Sequence, residues 1–185
     1  MDFYIEIKLL PDPEFKETIL MNILFSKLHL ALTENGHGEI GISFPFFEKT
    51  LGDTIRIHGS SSALERIQII NWLQGLQDYI NMSDILRVPA LTNFRIVKRI
   101  QTKSSIERLY RRSIKKGWIT SEEAEKRIRE QKVQRLKSPY VQIKSLSTGQ
   151  YFPLFINHGE ILKSSVRGEF SAYGLSVANA TIPWF

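Results

Sequence analysis

The 185-residue chain contains no cysteine. That absence excludes disulfides, thiolate zinc sites and thiol nucleophiles together, and it fits a reducing compartment. Nowhere does an apolar run approach the roughly 20 residues needed to span a bilayer. The opening MDFYIEIKLL alternates charged with apolar residues and lacks the continuous apolar stretch of a secretion signal. A cytoplasmic protein without a membrane segment is the expectation. Walker and nucleotide-binding glycine motifs are missing as well. The four histidines, His29, His37, His58 and His158, include no pair at metal-ligand spacing, and no carboxylate cluster suggests a two-metal centre. No cofactor and no metal are expected.

Acids are scarce in one place. Residues 98–116 hold eight cations (Lys98, Arg99, Lys103, Arg108, Arg111, Arg112, Lys115 and Lys116) against the single acid Glu107. The segment is therefore +7 in a chain whose net charge is +6, which leaves −1 for everything else. A local excess of this kind is the footprint of a polyanion partner, not of a generally basic protein.

With 42% hydrophobic residues the chain can build a packed core. Residues 3–10 alternate as a strand, with Phe3, Ile5, Ile7 and Leu9 on one face. Asp12 and Pro13 read as the N-cap and first turn of a helix running to about Thr33, where Asn35-Gly36 ends it. Strands follow at 39–45 and 53–59. Ser62 and Glu65, at capping-box spacing, open a helix through ALERIQIINWLQGLQDYI, and 93–103 reads as a further strand. The order β-α-β-β-α-β is the split-βαβ, ferredoxin-like pattern, so an α+β fold is expected, with a ferredoxin-like domain over residues 1–97. Residues 98–185 form the expected second domain. It holds a basic helix at about 105–116, a helix opened by Thr120 with Glu123, strands around YVQIKSL and QYFPLFIN, and an apolar IPWF end that docks on the body.

At 100° per residue, Ile106, Leu109, Tyr110, Ser113 and Ile114 fall within an arc of about 140°. Arg108, Arg111, Arg112, Lys115 and Lys116 occupy the opposite arc with no interleaved carboxylate. A solvated helix face usually mixes signs, as residues 121–135 do. The pattern favours a nucleic acid over a solvated or protein-binding face, and ranks a membrane surface last. Arg99 and Gln101 lie on one face of the preceding strand and suit bidentate contacts to guanine and adenine edges, although an exposed polar strand end would look the same.

Should such a protein cut RNA, the sequence favours metal-free chemistry in which a base deprotonates a ribose 2′-OH. His29 shares a polar helical stripe with Thr18, Asn22 and Ser26, a placement equally suited to an ordinary surface histidine. Ser145, Ser147 and Thr148 cluster in KSLSTGQYF, which also reads as a simple turn. Tyr173 and Phe152 suit the core as well as a site.

Taken in order, DPEF…LFSKLH, GISFP, RIQTKS…ERLYRR, STGQYF…LFI.HG, F.AYGLS and the closing PWF resemble the type I-F CRISPR-associated endoribonucleases that process precursor CRISPR RNA. The resemblance implies that His29 is the general base, that Ser145 holds the attacking ribose and that Tyr173 orients the histidine. It implies base reading by Arg99 and Gln101, phosphate contacts by Arg108, Arg111, Arg112, Lys115 and Lys116, and stacking by Phe152 on the terminal base pair. Ser147 and Thr148 would lie near the scissile phosphate. The implied partners are the CRISPR repeat RNA hairpin and a surveillance complex, with the protein alone monomeric. Lys115 and Lys116 stand where the family favours arginine, so contacts there lose the planar fork. A non-catalytic hairpin-binding subunit and a protein-interaction module remain as alternatives.

Overall fold

The computed structural model describes residues 1–100, 106–145 and 148–185, with the side chains of 106–109 and 131–137 outside that description. It is an α+β protein built on two antiparallel sheets. The first sheet contains β1 (Phe3–Leu9), β2 (Gly41–Ser43), β3 (Thr54–Gly59) and the short pair β4 (Ile80–Met82) and β5 (Leu86–Arg87). Its order is β2-β3-β1-β4, with β5 also pairing β1. Two helices connect these strands: α1 (Glu17–Asn35) follows β1, and α2 (Ser61–Ile69) follows β3. The alternation in β1 has the expected outcome, since Ile5, Ile7 and Leu9 are buried. Register places Ile5 opposite Ile57 and Ile7 opposite Ile55, so one face of the sheet becomes a continuous apolar surface. On it α1 lays Leu20, Met21, Leu24, Phe25, Leu28 and Leu32.

The expected β-α-β-β-α-β order is closed by a different strand. Residues 93–100 (β6) do not join the first sheet; β4 and β5 complete it instead. Ser83 separates those two short strands. Its hydroxyl accepts from the Glu6 N–H, and its own N–H donates to the Glu6 carbonyl, so a side chain replaces part of the ladder and hides the strand from a period-two pattern. Helix starts also shift. Asp12 caps a turn, accepting from the N–H groups of Glu14 and Phe15, while α1 begins at Glu17. The N-cap of α2 is Ser60, which accepts from Ala63, and not Ser62. That helix stops at Ile69, after which the chain turns through Trp72 and Leu76 instead of continuing to residue 80.

The second sheet runs β7 (Tyr140–Lys144), β8 (Tyr151–Leu162), β6 (Asn93–Ile100), β9 (Ile182–Trp184). Thus β6 crosses the boundary expected between residues 97 and 98. A single apolar cluster contains Ile42 and Ile57 from the first sheet and Val97, Ile143, Ile156 and Ile182 from the second. Between β6 and β7 lie α3 (Ile106–Lys115) and α4 (Ser121–Lys137). The capping box at α4 forms as its spacing predicts: Thr120 Oγ1 accepts from the Glu123 N–H, and Glu123 Oε2 accepts from the Thr120 N–H. The terminal Phe185 docks by edge contact with Tyr4 and by lying under the Arg56 guanidinium, which also donates to the Phe185 carbonyl. Among the described residues no helix is long and apolar enough to cross a membrane.

Two histidines are structural. His58 is fully buried on β3, paired with the Ser43 hydroxyl at 2.8 Å. Burial, with the nearby Arg56 and N-terminal charges, pushes its pKa down to about 3. His158 stacks on Phe47 at 3.6 Å, and burial beside Arg95 likewise pushes it down to about 3. Both groups bind protons more weakly folded than unfolded. Their stabilising effect is therefore fully present above the unfolded value of 6.5, and it is lost as pH falls toward 3 at up to about 1.4 kcal/mol per unit for each histidine. The thermal midpoint should fall between pH 7 and pH 5. Because both ring nitrogens of His158 lack a partner among the described residues, His158→Phe should flatten that dependence without costing a described hydrogen bond; thermal melts across the pH series check both points.

Candidate functional site

His29 lies in the last third of α1, half-buried, at the margin of the face that carries the core residues Phe25 and Leu32. Its Nδ1 is 2.9 Å from the carbonyl oxygen of Ala172. A carbonyl can only accept, so Nδ1 carries a proton, which in the neutral imidazole leaves the lone pair on Nε2. Among the described residues Nε2 has no hydrogen-bond partner. The imidazole also stacks on the Tyr173 ring, centroids 4.1 Å apart and planes at 19°. Tyr173 in turn stacks on Phe25 at 6.3 Å, tying the histidine to the core. One histidine is thereby fixed in orientation and tautomer by two consecutive residues 143 and 144 positions away.

The segment carrying those residues is a tight turn. Gly174 N–H donates to Ser171 O, Ser171 N–H to Leu175 O, and Ile42 N–H on β2 to Gly174 O. Gly174 has φ +69, and a Cβ there would come within 2.6 Å of Ile42 Cγ2. Glycine is therefore required for both conformation and approach. The turn is pinned to the edge of the first sheet while presenting Ala172 and Tyr173 to α1.

Arg99, near the end of β6, extends the cluster. Its guanidinium lies 5.7 Å from the centroid of Phe152 on β8 and 5.9 Å from that of Tyr173. Cation–π attraction thus links the basic strand end to the histidine through the Tyr173 ring. Ser145 and Thr148 sit in the connection between β7 and β8, where Thr148 N–H donates to Ser145 Oγ at 3.2 Å. Asn22, on the stripe of α1 that leads to His29, accepts from the Gln142 N–H on edge strand β7 at 2.9 Å. That bond fastens the β7–β8 hairpin to the helix that carries the histidine.

On α3 and the turn that follows it, Arg111, Arg112, Lys115 and Lys116 are exposed, whereas Tyr110, Ser113 and Ile114 are half-buried. The two faces separate as the helical projection predicts. Among the described side chains no carboxylate pairs with these four cations. Arg108 belongs to α3, but its side chain lies outside the described residues, as do Gln101 and Ser147 altogether. Among the described residues no three histidines, aspartates or glutamates gather to hold a metal ion. What sequence reasoning missed is the Ala172 carbonyl, a backbone group with no side-chain signature, and the bond from Gln142 to Asn22, visible in sequence only as one polar position on the stripe.

The model of the CRISPR-associated protein family Cas_Csy4 matches residues 4–185. The chain belongs to that family. Two curated relatives named CRISPR-associated endonuclease Cas6/Csy4 align with it over their full lengths and its own. The one from Escherichia coli (strain UTI89 / UPEC) is 50% identical and the one from Pseudomonas aeruginosa (strain UCBPP-PA14) 43% identical. A solved structure described as CRISPR endoribonuclease Cse3 bound to 19 nt RNA superposes with a TM-score of 0.42 at 10% identity over both whole chains, a likeness too slight to bear on fold or function.

Replacing Asn22 by leucine removes the acceptor for Gln142 N–H and should destabilise the protein by about 1 kcal/mol, measured by urea unfolding. Asn22→Asp keeps an acceptor oxygen and should recover most of that loss.

Proposed function

We propose that this family member is a metal-independent endoribonuclease that cuts the repeat hairpins of precursor CRISPR RNA and retains its product. The observation carrying this reading is His29, held by Ala172 and Tyr173 with Nδ1 protonated and Nε2 free to accept. In the proposed step Nε2 takes the proton of the ribose 2′-OH, held by Ser145. The 2′-oxygen bonds to the adjacent phosphorus, the bond from phosphorus to the 5′-oxygen breaks, and that oxygen leaves with a proton. The products carry a 2′,3′-cyclic phosphate and a 5′-hydroxyl. Stacking by Tyr173 sets the angle of the imidazole, and Thr148, bonded to Ser145, lies toward the scissile phosphate.

Binding is assigned to other groups. Arg99 and Gln101 read base edges in the lower stem, Phe152 stacks on its terminal pair, and Arg108, Arg111, Arg112, Lys115 and Lys116 contact phosphates. An A-form major groove admits such a helix best near a hairpin end, where the groove is open. Most of the affinity then rests on the uncut stem, which is why product stays bound. The protein is expected to act as a single copy within a larger CRISPR surveillance complex.

Incubation of the protein with its repeat RNA in EDTA tests the chemistry: cleavage should proceed, and a 2′-deoxy substitution before the cut should abolish it while sparing binding. RNA bound tightly but left intact would instead identify a hairpin-binding subunit without catalysis. His29→Ala should lose cleavage at near-normal affinity, and full activity in that variant would remove His29 from the mechanism. Arg112→Ala should weaken binding to every hairpin and lower the slope of log affinity against log salt by about one.

A further inference from the structure

Helix α3 ends in a Schellman motif. Gly117 N–H donates to Ile114 O at 2.9 Å, Trp118 N–H donates to Ser113 O at 3.0 Å, and Gly117 has φ +70. In this motif the residue after the glycine ordinarily folds back to make an apolar contact with the last turn. Trp118 departs from that habit: the residue is 70% exposed. Its one described ring contact is the Lys116 ammonium, 4.5 Å from the ring centroid. A rigid backbone thus presents the largest aromatic side chain at the end of the cationic helix, with a cation from that same face against it.

Burying an indole is worth more than leaving it in water, so an exposed tryptophan in a fixed setting calls for a planar, apolar surface to cover it. Beside four cations that no described carboxylate pairs, that surface is a nucleobase: bases stack on aromatic rings wherever they are not already stacked on each other. Bases of a paired stem are stacked on their neighbours, which restricts the occupant to an unpaired nucleotide. At a hairpin these are found in the loop or next to the stem's open end. The open end is assigned to Phe152, beside Arg99 on β6. Helix α3 follows β6 in the chain and rises about 15 Å over its ten residues, so a stem docked with its open end at Phe152 and α3 laid along it would bring Trp118 toward the loop.

We infer that Trp118 is a stacking platform for an unpaired base in the loop of the RNA hairpin, with Lys116 holding the adjoining backbone. This assignment rests on the hairpin-binding reading above and adds to it a contact outside the stem. Through it the protein would discriminate among hairpins with identical stems and different loops.

The test measures affinity at one fixed salt for the repeat hairpin and for the same stem closed by an abasic glycol linker. Trp118→Ala should bind the native hairpin about ten- to a hundredfold more weakly, with Trp118→Phe recovering most of the loss. The glycol-closed stem should bind wild type and Trp118→Ala alike. Stacking releases no counterions, so the salt slope should be unchanged in Trp118→Ala, unlike Arg112→Ala. Equal affinity of wild type and Trp118→Ala for the native hairpin overturns the inference, as does an equal loss on both hairpins. If wild type binds neither hairpin, the hairpin-binding reading itself falls.

Discussion

The contact between His29 and the 171–174 turn is the constraint around which the rest is arranged. A histidine on a helix surface is free to rotate about two bonds and to carry its proton on either nitrogen. The Ala172 carbonyl removes the tautomeric freedom and the Tyr173 ring removes the rotational one. Neither restraint works unless the turn is held still, and the turn is held by Gly174 lying against Ile42 at the first sheet's edge. Docking of this turn on the edge of the first sheet is therefore what gives one imidazole a defined orientation and tautomer.

In the proposed function, holding and cutting fall to different groups. Exposed cations on α3 act at range and are indifferent to small displacements, so a helix packed only by one apolar face serves them well. Proton transfer tolerates far less error, and the candidate base is correspondingly braced by the core through Phe25 and Tyr173. Arg99 stands between the two functions. It is exposed like the α3 cations, yet it lies against the rings of Phe152 and Tyr173.

Much of this was legible in the sequence where a local rule decides the outcome. Alternation in β1, the capping box of Thr120 and Glu123, and the two faces of α3 all depend on residues a few positions apart. The allegiance of β6 did not follow, because its pattern suits either sheet and the choice is made by partners sixty positions downstream in β8. The split of the first sheet's last strand was masked by Ser83, whose hydroxyl substitutes for a backbone group. His29 shows the limit most clearly. Its stripe with Asn22 was visible, but the residues that single it out from other surface histidines lie over 140 positions away and include a bare carbonyl.

The bond between Asn22 and Gln142 has a bearing beyond the site. Strand β7 is an edge of the second sheet, and an open edge is a template on which a strand from another molecule can add. Asn22 occupies one of its donors from α1. At the opposite edge, β9 contains Pro183, which has no N–H to offer. On the first sheet, Ile42 in edge strand β2 already donates to Gly174. Each of these edges is thus interrupted by the chain's own groups. The contacts that assemble the histidine's surroundings also guard the protein against extending its sheets from one copy into the next.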